Sequence, residues 1–355
     1  MGSDHHEINA REAASVDSPA DMLVIDFAAL HSSPQERKIE LDKLDKGFQT
    51  YGFVYLQGHS IPQQLVDEAF NWAGRFFALP LEVKLKIKNE GDGRPENDRG
   101  FSAEGGGYGI QANLDFPERN EFLEYGNPFH ESGAPPNLWV PEAEIPGFRA
   151  FQELWWAECA KLQQTLLRAM GEALQLEDPE ILCRQTDRND LNVCLNYYPQ
   201  TSVAPLRSHK QRRLHAHTDC GSLTLLFQDG VGGLEVHTGE VFKPVVPKKG
   251  TIILNVGDML ERQTNGRWKS AWHQVTAPYK TMMQKRSQVD GDVPQRYSIG
   301  CFGRCNPEVI INTLPGCEQR GKWSVSNDGE VLTCYDWMCK RAEEDRIATQ
   351  MQPVP

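Results

Sequence analysis

Apolar residues recur every three or four positions in three long stretches of the first half of the chain. This period puts them on one face of a helix, and it predicts amphipathic helices over 34–51, 62–76 and 148–174. Ser60 precedes the second stretch and is expected to cap that helix. Short apolar runs at 22–27 and 52–56 predict strands. The sequence therefore predicts a mostly helical N-terminal region with lid loops over 21–185, after a polar tail over 1–20 that we expect to be disordered.

After Asp190 the pattern changes to short apolar and β-branched runs separated by Gly, Pro and Asn. We predict strands over 191–198, 214–219, 222–227, 233–236, 241–245, 251–256, 271–276 and 296–302. Short strands with closely spaced turn signals are typical of a sandwich or a jelly-roll barrel. A β core is therefore predicted over 186–306, followed by a C-terminal region over 307–355 that has a loop, a helix near 330–348 and a tail.

The segment between Asn89 and Pro146 has no regular period of apolar residues. Its glycine runs lack the preceding strand and the Lys-Ser/Thr ending that a phosphate-binding loop requires. Long loops of this kind often carry a lid or a pocket wall, and we expect that role here.

Charge and cysteine content exclude several classes of partner and site. The chain has 37 Lys and Arg against 49 Asp and Glu, a formal net charge of −12, which argues against nucleic acid or an anionic membrane as a partner. No apolar run approaches the roughly 20 residues of a membrane span. The nine cysteines include no Cys-x-x-Cys pair, which argues against a disulfide framework and a cysteine zinc site. We expect a soluble cytoplasmic protein, and the sequence does not indicate its oligomeric state.

Candidate metal ligands lie in His217-Thr218-Asp219, directly before an apolar strand. In an extended chain His217 and Asp219 share one face, and an imidazole beside a carboxylate supplies two ligands of a 2-His-1-carboxylate iron site. His273, 54 residues after Asp219 (273 − 219), is the best third ligand. A His215/His217 pair is the alternative, although it would leave Asp219 as a buried carboxylate that needs another partner.

A carboxylate clamp is indicated on the predicted strand 296–302. Alternation puts Arg296, Ser298 and Phe302 on one face. There a guanidinium fork and a hydroxyl can bind a carboxylate together. The alternative is an arginine paired with a surface acid.

Polar side chains also share one face of the predicted strand 191–198. Asn192, Asn196 and Tyr198 are costly to bury without partners, so a polar ligand explains them. Alternatively, Tyr198 lies at the rim with its hydroxyl in water. The basic run 207–213 has two interpretations as well: a solvated loop, which we favour, or a patch that attracts an anionic substrate.

Several motifs occur in the order and spacing of one known family. They are Asn196-Tyr197-Tyr198-Pro199, His217-Thr218-Asp219 with Leu223-Thr224-Leu225-Leu226, Asn255-Val256-Gly257-Asp258, Thr264-Asn265-Gly266, His273 and Arg296-Tyr297-Ser298, with Ile25-Asp26-Phe27, Gly52-Phe53-Val54-Tyr55-Leu56 and Arg99-Gly100-Phe101 upstream. Over residues 22–346 the chain resembles the isopenicillin-N-synthase-like group of iron(II)/2-oxoglutarate-dependent dioxygenases. It departs from that group at Gln274, where arginine is frequent, and at Gly58-His59-Ser60, where Asn-His-Gly is frequent.

The resemblance implies a mainly β fold with a double-stranded β-helix (jelly-roll, cupin-like) core, flanking N-terminal helices and a C-terminal helix. It also implies Fe(II) and 2-oxoglutarate as the groups bound at the site. Their implied protein partners are His217, Asp219 and His273 for Fe(II), and Arg296 and Ser298, with Asn196 or Tyr198 nearby, for the distal carboxylate of 2-oxoglutarate.

The implied activity couples decarboxylation of 2-oxoglutarate, with O2 and release of succinate and CO2, to oxidation of a small organic metabolite. C–H hydroxylation is the leading hypothesis. Two alternatives stay open: an iron-dependent oxidative cyclase or oxidase that does not use 2-oxoglutarate, and a non-catalytic small-molecule binder. The expected pocket walls are Phe302, Phe101, Tyr108 and Asn192.

Overall fold

The structure is a computed structural model that describes residues 13–89, 99–104, 118–129, 136–188, 190–208, 211–279, 291–318, 321 and 331–350, with the side chains of the last helix described through residue 344. The strands are β1 (Val24–Asp26), β2 (Phe53–Gln57), β3 (Gly100–Ser102), β4 (Glu121–Tyr125), β5 (Asn192–Tyr198), β6 (Thr201–Ser202), β7 (Leu214–His217), β8 (Leu223–Gln228), β9 (Leu234–His237), β10 (Phe242–Pro244), β11 (Thr251–Val256), β12 (His273–Val275), β13 (Asp292–Val293) and β14 (Arg296–Phe302). The α-helices are α1 (Pro34–Thr50), α2 (Gln63–Phe77), α3 (Leu81–Lys84), α4 (Phe148–Ala173), α5 (Ile181–Arg184), α6 (Val203–Arg207), α7 (Asp258–Gln263) and α8 (Cys334–Gln350), and short 3-10 helices span Ala29–His31 and Leu85–Ile87. The chain is therefore rich in sheet, with flanking helices.

Two sheets form the centre of the molecule. The larger has eight strands in the order β1-β2-β11-β8-β14-β5-β4-β3, and the smaller has four in the order β10-β9-β12-β7. A core cluster combines Phe53 and Tyr198 of the larger sheet with Val236 and Val275 of the smaller sheet. The two sheets therefore face each other across a shared interior.

The predicted helical region contributes four strands to the larger sheet. β1 and β2 extend one edge, and β3 and β4 extend the other. The apolar pattern predicted β1 and β2, but it predicted only loops between residues 89 and 146, where β3 and β4 occur. One core cluster joins Leu44 and Trp155 of the helices to Leu225 and Ile299 of the β core. The predicted regions 21–185 and 186–306 thus share a hydrophobic core.

The three long helices have the predicted positions and cover the outer face of the larger sheet. Trp155 of α4 is fully buried, and its ring centroid lies 4.8 Å from that of Phe227 on β8. The predicted cap by Ser60 is wrong, because α2 begins at Gln63 after Pro62 and has no side-chain cap. None of the described helices combines the length and the apolar character that crossing a bilayer requires.

Part of the predicted disordered tail is ordered against the smaller sheet. The amide of Val16 donates to the carbonyl of Phe242 at 3.0 Å, and the amide of Ala20 donates to the carbonyl of Pro244 at 2.9 Å. The Ser15 hydroxyl donates to Glu235 Oε2 at 2.7 Å. Residues 13–20 therefore run along β10, contrary to the expectation of disorder for this part of the tail.

Two helical glycines provide a matched test of the packing. At Gly171 in α4 an added Cβ would lie 2.1 Å from the carbonyl oxygen of Pro179, whereas at Gly74 in α2 it would meet only the Tyr297 hydroxyl, at 4.0 Å. We expect Gly74→Ala to raise the free energy of unfolding by about 0.5–1 kcal/mol, because alanine favours helix. Gly171→Ala should lower it by about 1–3 kcal/mol through overpacking. Denaturant unfolding of both variants checks this pair, and a stabilised Gly171→Ala protein would contradict the predicted contact.

Candidate metal centre and co-substrate site

His217, Asp219 and His273 come together where the smaller sheet joins the larger one. β7 and β12 pair in a register that sets His217 opposite His273, and their ring centroids are 4.2 Å apart. Asp219 Oδ1 lies 3.8 Å from His217 Nε2 and 3.6 Å from His273 Nε2. β7 ends at His217, so the turn after it, rather than the predicted extension of the strand to 219, brings Asp219 to the pair.

Backbone carbonyls fix the orientation of both imidazoles. His217 Nδ1 lies 2.8 Å from the carbonyl of His215, and His273 Nδ1 lies 3.0 Å from the carbonyl of Ala271. Because a carbonyl only accepts, each Nδ1 carries a proton, and each Nε2 is directed toward Asp219 as the nitrogen available to a metal. Among the described residues the ligand atoms that cluster within 4.8 Å belong to His217, Asp219 and His273, and His215 is not one of them.

Asp219 is buried and held by two hydrogen bonds to one of its oxygens. Oδ2 accepts from Thr224 Oγ1 and from Asn255 Nδ2, both at 2.6 Å. This leaves Oδ1 directed toward the imidazoles. Burial alone would raise the pKa of Asp219, but His273, His217 and the two hydrogen bonds outweigh it and hold the pKa below its usual value. The carboxylate is therefore ionised at neutral pH.

Sequence reasoning gave no role to Thr224 or Asn255. Both follow apolar residues, in Leu223-Thr224-Leu225 and Ile253-Leu254-Asn255, and both are buried. A polar side chain in such a run needs a buried partner. That requirement was the available signal, and the partner is Asp219.

Arg296 lies buried on the inner face of the larger sheet with neutral partners. Its side chain is 1% exposed, Nη1 donates to Ser298 Oγ at 3.1 Å, and Nη2 lies 3.5 Å from Gln228 Oε1. Its guanidinium carbon lies 4.8 Å from the ring centroid of Tyr198. No carboxylate of the described part of the chain pairs with it, so the alternative of a surface ion pair is wrong. A buried cation of this kind fits an anionic ligand.

A second buried arginine lies near Arg296. The favoured interpretation of residues 207–213 as a solvated loop is wrong for Arg213, which is fully buried and donates through Nη2 to the carbonyls of Pro199 and Pro294. Burial and the charge of Arg296 lower the pKa of Arg213 to about 10. The region around Arg296 thus carries more positive charge than the Arg-x-Ser pattern predicted.

β5 supplies the polar wall beside β14. Asn196 is half-buried and lies opposite Ser298, and Tyr198 is buried opposite Arg296. Tyr197 belongs to the other face of the sheet, where its ring stacks on Phe77 at 5.4 Å. The side chains that face the interior are therefore Asn196 and Tyr198.

The predicted pocket residues have different positions. Phe302 is half-buried on the inner face, where its ring covers Gly300. Asn192 lies opposite Phe302 and is buried, hydrogen-bonded to Arg99 at 3.0 Å and to Glu124 at 3.1 Å. Phe101 was wrongly predicted, because it is fully buried on the outer face with its centroid 6.1 Å from that of Phe76. Tyr108 lies outside the described residues.

Two family models match the chain. The model for the non-haem dioxygenase in morphine synthesis N-terminal region matches residues 23–142, and the model for the 2OG-Fe(II) oxygenase superfamily matches residues 189–304. The second interval contains the cluster of His217, Asp219 and His273. The chain belongs to the 2OG-Fe(II) oxygenase superfamily.

Curated relatives cover most of this oxygenase. It is 37% identical to the 2-oxoglutarate-dependent dioxygenase lolO1 of Epichloe uncinata, over 91% of this chain and 94% of the relative. It is 36% identical to the proline hydroxylase buaE of Petromyces alliaceus, over 80% of this chain and 87% of that protein. Both similarities extend across the helical region and the β core.

Solved structures have a similar overall fold. A full-length Neurospora crassa protein in complex with alpha-KG matches this oxygenase with a TM-score of 0.79 and 29% identity, over 94% of this chain and 100% of that one. The same Neurospora crassa protein with alpha-KG and thymine gives a TM-score of 0.79 and 28% identity, over 94% and 99% of the two chains.

The prediction of an Fe(II)/2-oxoglutarate-dependent dioxygenase, with O2 as the other co-substrate, is therefore confirmed. The side chains present fit these groups. Two imidazole nitrogens and one carboxylate oxygen are a donor set that suits Fe(II) in such oxygenases. The buried guanidinium of Arg296 suits the carboxylate of an oxo acid.

Proposed function

We propose that this oxygenase hydroxylates a C–H bond of a small organic metabolite, within a double-stranded β-helix core formed by its two facing sheets. One observation carries the proposal: Arg296 and the cluster of His217, Asp219 and His273 face the same interior space. β8 connects the two, because Thr224 bonds Asp219 near one end and Gln228 contacts Arg296 at the other. Four residues of strand span about 13 Å, and side chains from both ends reach into the space between.

The proposed roles follow from these contacts. His217, Asp219 and His273 hold Fe(II), and the ionised Asp219 offsets part of its charge. Arg296 and Ser298 bind the distal carboxylate of 2-oxoglutarate, and Asn196 and Tyr198 line the same space. Fe(II) bound there supplies the oxidation chemistry, in which O2 and 2-oxoglutarate yield succinate, CO2 and one oxygen atom for the substrate.

The chain's remaining task is to orient the substrate and to exclude water. Phe302 and Asn192 share the inner face with Ser298. Phe302 on β14 lies opposite Asn192 on one side and opposite Thr224 on the other. We propose that they form the wall against which the substrate C–H bond is held. The nine free cysteines among the described residues are compatible with a reducing compartment, and we propose a cytoplasmic enzyme of secondary metabolism.

Substrate-dependent succinate release tests the function. The protein is loaded with Fe(II) and 2-oxoglutarate and offered a metabolite panel with L-proline, prolyl peptides and thymine, because a relative is named a proline hydroxylase and a solved relative contains thymine. We expect one substrate class to stimulate succinate release and to gain one oxygen atom from isotopically labelled O2.

Two outcomes would contradict the proposal. Product that forms at an undiminished rate without 2-oxoglutarate indicates an oxidative cyclase or oxidase. A ligand that binds equally well to wild type and to a metal-free His217→Ala variant, with no product, indicates a binder.

A further inference from the structure

We propose that the C-terminal helix α8 positions the metal-binding loop, defined as residues 217–222, through Trp337 and Arg341. This inference rests on the proposed function, because it assumes that His217 and Asp219 bind the metal. Trp337 and Arg341 are four residues apart and so lie on one face of α8. Neither touches the ligand atoms, and both are positioning residues.

Four successive carbonyl groups of the metal-binding loop accept hydrogen bonds from outside the loop. The donors are the Asp258 amide to Asp219 at 2.7 Å, the Trp337 indole to Cys220 at 3.1 Å, the Met259 amide to Gly221 at 3.0 Å and the Gly257 amide to Ser222 at 2.8 Å. Three donors belong to the start of α7, and the fourth is the Trp337 side chain. α8 therefore supplies the bond to Cys220 that completes this row.

Arg341 contacts the metal-binding loop through Thr218 and Asp258. Thr218, between His217 and Asp219, donates its hydroxyl hydrogen to Asp258 Oδ2 at 3.0 Å. Arg341 Nη2 lies 3.2 Å from the same Asp258 oxygen and 3.5 Å from Thr218 Oγ1. The guanidinium thus neutralises the carboxylate of Asp258. Asp258 holds the metal-binding loop twice, because its carboxylate accepts from the Thr218 hydroxyl and its backbone amide donates to the carbonyl of Asp219.

The packing around the loop leaves little room for adjustment. A Cβ added to Gly257 would lie 2.2 Å from the carbonyl oxygen of Gly221, and one added to Gly221 would lie 2.5 Å from that of Gly303. The start of α8 packs against the residues that hold the loop. Cys334 Sγ contacts Met259 Sδ at 3.8 Å and the Cys305 carbonyl at 3.1 Å. In so close a packing, a change at Trp337 or Arg341 shifts the backbone that carries Asp219.

Metal affinity of the otherwise intact protein tests the proposal. Trp337→Phe keeps the ring and removes the indole donor, and Arg341→Met keeps the apolar stem and removes the charge. We expect each to weaken Co(II) and Fe(II) binding to the apoprotein about 10-fold and the double variant up to about 100-fold, as for other partners outside the ligand set. Arg341→Lys should recover part of the loss, because it retains the charge beside Asp258.

Two exposed residues of the same helix provide controls. Tyr335→Phe and Lys340→Met make matched changes on α8 and should leave metal affinity within twofold of wild type. Affinity is measured by calorimetry and by the visible spectrum of bound Co(II). Circular dichroism measures the folded fraction of each variant. If Arg341→Met does not fold, Trp337→Phe alone decides.

Unchanged metal affinity in Trp337→Phe and Arg341→Met would overturn the proposal, and so would an equal loss in the controls. Wild-type protein that binds neither metal would overturn both this inference and the proposed function. Wild-type protein that binds metal but never releases succinate contradicts the proposed function alone, because the affinities still decide the role of α8.

Discussion

Arg296→Met is expected to raise the concentration of 2-oxoglutarate needed for half-maximal turnover by more than about 100-fold. A buried charge that loses its partner costs roughly 3–5 kcal/mol, and each 1.4 kcal/mol is about a factor of ten in affinity. Arg296 is 1% exposed and has only neutral partners among the described residues, so the co-substrate carboxylate is its expected counter-ion. The measurement is succinate release at varied 2-oxoglutarate, with calorimetric binding of the oxo acid.

Two further arginine variants sharpen this prediction. Arg296→Lys keeps the charge and loses the planar fork, and its defect should be intermediate. Arg149→Met removes a surface arginine that pairs with Glu153 at 2.7 Å and should leave the 2-oxoglutarate requirement unchanged. A normal requirement in Arg296→Met would refute the assignment of Arg296 to the co-substrate.

Asp219→Ala is expected to abolish turnover and to weaken Fe(II) binding by more than about 100-fold. The change removes the one anionic ligand and leaves Thr224 and Asn255 without their buried acceptor, so the loss should exceed the 10–100-fold typical of outer partners. Thr224→Val removes only one hydrogen bond to Oδ2 and should fall between wild type and Asp219→Ala.

Anaerobic Fe(II) titration of the three proteins provides the order of affinities. Retention of tight iron binding by Asp219→Ala would mean that the carboxylate is not a ligand. An equal loss in Thr224→Val would mean that the hydrogen bond, rather than the ligand atom, determines affinity. Both variants keep the residues of α8, so these results are independent of the inference on Trp337 and Arg341.

Regular periodicity made the long helices and the strands after residue 190 predictable. α1, α2 and α4 each bury one face, and the eight predicted strands after residue 190 carry apolar residues that pack against a neighbouring layer. The two-residue strands β6 and β13 were not predicted, because two residues are too few to show a period. β3 and β4 were missed because they are short and their residues show no regular alternation of apolar and polar side chains. Their sequences, Gly100–Ser102 and Glu121–Tyr125, mix glycine, serine and glutamate with aromatic residues.

The candidate site was predictable where chemistry requires a particular residue type. His217, Asp219, His273 and the Arg-x-Ser pair were found because few other arrangements explain them. The roles of Arg213 and Phe101 depend on tertiary contacts that local sequence does not encode. Arg213 is buried by carbonyls of residues far along the chain, such as Pro294, and the outward direction of Phe101 follows from the pairing of β3 with β4.

The sharing of β8 between Asp219 and Arg296 has a consequence for how such an enzyme can diversify. A one-residue insertion in β8 would turn Thr224 or Gln228 to the opposite face and separate iron chemistry from co-substrate binding. The outer side chains Leu225 and Phe227 are buried as well, so the strand has no tolerant position on that side. Substitutions that change the substrate pocket but keep the activity are therefore expected in side chains of β4 and β5, such as Asn192, and a change of spacing along β8 is expected to abolish turnover.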